Sequence, residues 1–97
     1  MTEDTKAFFR RLISEKSKFV EQLKYNIAED NMILRDTKRE LFRLQGDEHR
    51  KERDEDDTLL HITRMKLKHD NVNLKININI IKDLQRLLDG DRISFQK

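Results

Sequence analysis

Asn71-Val-Asn-Leu-Lys-Ile-Asn-Ile-Asn-Ile-Ile81 is the stretch whose reading decides the fold. By itself it alternates polar and apolar residues with a period of two and is rich in β-branched side chains, which is the pattern of a strand. Its four asparagines also weaken helix propensity. Two features oppose that reading. Leu74 and Ile81 are rungs of a longer ladder, Leu60, Leu67, Leu74, Ile81 and Leu88, spaced by seven residues. The stretch then runs into Asp83-Leu84-Gln85-Arg86-Leu87-Leu88 with no breaker, and the short tail Arg92-Ile93-Ser94-Phe95 is the one segment that could pair with it as a strand. The sequence therefore predicts a helix from about 58 to 89, capped by Asp57 or Thr58 and closed by Gly90.

Helical geometry turns the alternation into a second apolar face. At 100° per residue, Leu74, Ile78, Ile81 and Leu88 share one side. Val72, Ile76, Ile80 and Leu87 share another, in line with Ile62 and Met65. Together these span about 240°, far beyond the roughly 100° that a surface helix ordinarily buries. A single neighbouring helix leaves the second face bare, and each bare Ile or Leu forgoes about 1.5–3 kcal/mol of burial. Val72, Ile76, Ile80, Leu87, Ile62 and Met65 are therefore expected to meet another protein surface.

A first ladder precedes this one. Ile13, Val20, Ile27, Leu34 and Leu41 are again seven apart, flanked by Phe9, Leu12, Phe19, Leu23, Ile33 and Leu44. Thr2 can cap this helix, Glu3 and Asp4 suit its positive end, and Gly46 suits its stop, which places it at about 3–45. Between the ladders, Asp47–Asp57 carries seven acids, three bases, one His and no apolar residue, and it reads as a charged linker over 46–57. Its Asp54–Asp57 run lacks the ligand spacing and glycine of a calcium loop. Folded at this linker, the ladders match rung for rung, Leu41 by Leu60 down to Ile13 by Leu88, with paired numbers adding to 101. That register also brings Thr37 towards Thr63 and Asp30 towards Asp70, where two carboxylates repel unless a base or water intervenes.

The expected fold class is all-α: one domain over 1–97, an antiparallel coiled-coil-like hairpin that assembles into a four-helix or larger bundle. Composition agrees. The 97 residues include no Pro, no Cys and two Gly, and 41% are charged, which removes the turn chemistry of sandwiches and barrels and any disulfide framework. The opening residues are acidic and polar rather than a basic, apolar leader, and apolar runs stay far below the ~20 residues of a membrane span. An intracellular, cytoplasmic or nuclear, protein is expected.

No catalytic pattern emerges. His61 and His69 are eight residues apart, not the i, i+4 pair of a helical metal site, and two glycines build no phosphate loop. The expectation is no enzyme, no cofactor and no metal, but a non-catalytic structural or adaptor module acting through self-association or hetero-assembly with protein. The alternative is a small dimeric nucleic-acid-binding or regulatory protein. It would use the strip Arg64, Lys68, Lys75, Lys82 and Arg86, which shares its arc with His61, Asn71 and Asn79. On the first helix, Tyr25 and Met32 stand off the main stripe as ordinary surface residues.

Overall fold

The computed structural model describes residues 1–44 and 46–90. Two long helices, α1 (Glu3–Arg43) and α2 (Arg50–Leu88), pack against each other along their length and are joined by a turn containing a 3₁₀ segment, Asp47–His49. The molecule is a rod of 68 × 28 × 14 Å. Among the described residues there is no strand, and Asn71–Ile81 lies wholly within α2. The heptad ladder, which lets α2 pack on α1, outweighs the local alternation there. The tail Arg92–Phe95 lies outside the described residues.

Local chemistry accounts for most of the boundaries. Thr2 has extended backbone angles and its hydroxyl accepts from the Thr5 amide at 3.2 Å, with Glu3 and Asp4 in the first turn. At the far end of α2, Asp89 is the C-cap and Gly90 follows with φ +76°, the left-handed geometry that glycine tolerates. Gly46, with φ +104°, provides the reversal between the helices, and its carbonyl accepts from the His49 amide at 3.3 Å.

The turn is much shorter than the charged linker read from the sequence. α2 begins at Arg50, well before the Asp57 or Thr58 cap expected, and Thr58 instead donates its hydroxyl to the Asp54 carbonyl inside the helix, at 3.0 Å. Lys, Arg and Glu are strong helix formers, and 47–57 holds neither Gly nor Pro. Lack of apolar residues removed the periodic signal without removing the helix. Arg53 and Asp56 hold seam positions there and are half-buried.

A shorter turn shifts the register. Lys66 reaches Asp30 across the seam, and Glu40 reaches Asp56; each pair adds to 96, not 101. Residues opposite each other are therefore displaced by five from the rung-for-rung alignment. Ile13, Val20, Ile27, Leu34 and Leu41 do line α1's inner side, and Leu60, Leu67, Leu74, Ile81 and Leu88 that of α2. Of these, Val20, Leu60 and Leu67 are buried and the other seven are half-buried.

The best-buried layer sits mid-rod and is half polar. Val20, Leu23, Leu60 and Leu67 share it with Asp30, Thr37, Thr63 and Asp70. Two parallel-sided helices give each seam residue cover from one direction only, so among the described residues no side chain is completely enclosed.

Candidate functional site

Three bands surround the seam. In an antiparallel pair, corresponding flanks of the two helices lie on the same side of the rod. One broad side combines Phe8, Phe19 and Ile33 of α1 with Leu59, Ile62, Ile76 and Leu87 of α2, all exposed, and half-buried Leu12 and Ile80. Five of these residues, Phe8, Leu12, Phe19, Ile33 and Leu59, were not among the expected contacts. The signal that could have found them is the heptad position: each lies on the same flank of its own seam as Ile76 or Ile80. Val72 and Met65, both more than half exposed, sit on the outer edge of α2 beside this face.

The expected partner-facing residues are thus placed together on the side of α2 turned from α1. Ile62, Met65, Val72, Ile76 and Leu87 are exposed and Ile80 is half-buried. His69 lies in line with them, its Nε2 3.1 Å from the Asn73 amide nitrogen. Asn77 donates to the Asn73 carbonyl at 2.8 Å, so two of the asparagines that resembled strand residues bond within the helix. Acids border the apolar side: Glu29, Asp36 and Glu40 on α1, Glu55 and Asp83 on α2.

The opposite broad side is basic. Arg64, Lys68, Lys75, Lys82 and Arg86 are all exposed along α2. Arg86 lies 3.9 Å from Asp83, a weak surface pair. On α1, Arg35, Lys38, Arg39 and Arg43 surround Phe42, which is 79% exposed, and the five line one shallow depression near the turn. Sequence reading passed over this group. Phe42 follows Arg35 by seven residues, Lys38 by four and Arg39 by three, the spacings that put side chains on one helix face.

Electrostatics inside the seam concentrate on Lys66. Its ammonium donates to both Asp30 oxygens, at 3.0 and 3.2 Å, and this bond raises the lysine pKa above its ordinary value, aided by the nearby Asp70. Near the turn, a hydrogen bond between Glu40 and Asp56 raises the Glu40 pKa, because one proton shared by two carboxyls relieves their repulsion. On the surface, Tyr25 bonds Glu29, which raises its phenol pKa.

Among the described residues, no group of three or more His, Cys, Asp or Glu is placed to hold a metal ion, and no helix is long and apolar enough to cross a membrane. His61 and His69 sit two turns apart on α2, and His49 is in the turn beside Glu48 and Glu52. No family model matches the chain, and neither a curated protein nor a solved structure matches it.

Proposed function

We propose that this chain is a non-catalytic interaction module, a helical hairpin that docks through its apolar broad side to complete a four-helix bundle. The supporting observation is that side itself. Seven large hydrophobic residues from both helices are exposed on it, each 38–56% accessible. The seam has four well-buried apolar residues, and this side leaves seven large ones exposed. Face-to-face packing of two such hairpins would cover Phe19, Ile62 and Ile76 at once, at about 25 cal/mol per Å² of apolar area removed from water. The acids bordering the face and Lys66 beside it would form its polar rim.

The test is the mass of the protein in solution, read by sedimentation equilibrium over a range of concentrations. A dimer or larger assembly is expected for the native chain. Ile62→Asp with Ile76→Asp should yield a monomer with undiminished helicity, because neither side chain lies in the seam. A native chain that stays a folded monomer at every concentration would refute self-assembly through this face.

A further inference from the structure

We propose that the basic broad side binds the phosphate backbone of duplex DNA, with cations from both helices and no readout of the bases. The inference is independent of the bundle reading, since it concerns the opposite side of the rod.

Charge is divided between the two broad sides. On the basic one, α1 presents Arg10, Lys24, Arg35 and Lys38, all exposed. From α2 the same side receives Arg64, Lys68, Lys75 and Lys82, also exposed. Each of these stands on the flank of its own seam turned from the apolar side. Between Arg10 and Lys38, Glu21 is the single acid on that flank of α1, and Lys24 lies 3.4 Å from it. Glu29, Asp36, Glu55 and Asp83 border the apolar side instead. Among the described residues, none of Arg10, Arg64, Lys68, Lys75 and Lys82 forms an ion pair, so their charges are open to a ligand.

The arrangement is long and straight. Arg10 and Lys38 are about 42 Å apart along α1 at 1.5 Å per residue. On α2, Lys68, Lys75 and Lys82 recur every two turns, about 10.5 Å. Two rows of cations on a stiff rod suit a stiff polyanion, and duplex DNA carries one charge per ~1.7 Å of its axis. Asp54 and Asp57 repel phosphate and close the strip towards the turn, so the duplex would lie over the middle and the open end of the rod.

Other polyanions fit less well. A single strand calls for aromatic platforms, and no Phe, Tyr or Trp stands among these bases. An acidic protein surface would need apolar anchors at the centre of the contact, where this side offers the half-buried Ile78. A lipid surface would need apolar residues to enter it. Duplex RNA is distinguished through its 2′-hydroxyls in the minor groove. The neutral side chains suited to them, Ser17, Asn31 and Asn71, stand beside the seam, set back behind the longer bases.

Fluorescence anisotropy with a labelled DNA duplex of about 16 base pairs, titrated at several salt concentrations, tests the proposal. A Kd on the order of 1–100 μM is expected near physiological salt, tighter below it and alike for duplexes of unrelated sequence. Lys68→Gln with Lys75→Gln should make the slope of log K against log salt shallower by about 0.9 for each cation removed. Arg10→Gln with Lys24→Gln should also flatten it, because α1 shares the contact. All four residues are exposed, so circular dichroism should show native helicity for both variants. Failure to bind at low salt, or an unchanged slope in either variant, would overturn the proposal. So would tighter binding of single-stranded DNA or duplex RNA of the same length, or equal displacement by polyglutamate.

Discussion

The Lys66 ammonium reaches across the seam to hold both oxygens of the Asp30 carboxylate, although Asp30 itself is only 4% exposed. This is the base that two seam aspartates require, but it serves them unequally. Asp70, one turn along α2, is also buried, and among the described residues no group bonds its Oδ2. Asp70→Leu should accordingly stabilise the hairpin by about 1–3 kcal/mol, because an apolar side chain replaces a poorly compensated charge. Urea denaturation reads this as a higher midpoint, and a lower one would show that Asp70 is satisfied after all.

The Glu40–Asp56 pair makes the opposite end of the rod sensitive to acid. A folded pKa raised above the ordinary 4.5 means that the pair contributes stability below that value and loses it as pH climbs through the raised one. Glu40→Gln should raise the melting temperature at neutral pH, where the native pair repels. The advantage should vanish on acidification to below the ordinary glutamate range. An equal effect at both pH values would exclude the shared proton.

Leu23 is the best-buried apolar residue among those described, at 4% exposure. Leu23→Ala should cost about 2–4 kcal/mol, since a two-helix seam can collapse only partly around the void. Met32→Ala, on the exposed side of α1, should stay within about 0.5 kcal/mol. Thermal melts of the two variants side by side give the comparison.

Gly46 holds a φ of +104°. A Cβ there would lie 3.2 Å from the Glu48 Oε2, the far end of a side chain free to swing away, so the penalty of Gly46→Ala is set by the backbone. A loss of about 1 kcal/mol or more is expected. Indifference to the substitution would mean that the turn has other conformations of equal energy.

The helical hairpin was legible because its ladders repeat every seven residues, and that period survives the misleading alternation of Asn71–Ile81. What escaped was governed by charge. From Arg50 to Asp57 no apolar residue marks a periodicity, so a helix built from good formers passed for a linker. Misplacing the turn in this way displaced the register by five. The apolar residues that α1 leaves exposed were also obscured. Phe19 and Ile33 flank a strong stripe and were read with it, whereas a seam with a single facing helix is too narrow to enclose them. Phe42 was invisible for a related reason: an aromatic residue beside the end of a ladder carries no periodic weight of its own.

Because the chain doubles back at Gly46, Glu3 and Leu88 lie at the same end of the rod. A pulling force applied at those two residues acts across the seam rather than along it. The layers then bear the load one after another, as in a zip, and never all together, as they would if the rod were sheared lengthwise. Resistance should peak when the opening reaches Val20 and Leu23 and fall again beyond Leu60, so that stretching a single molecule would trace the position of its central layer directly.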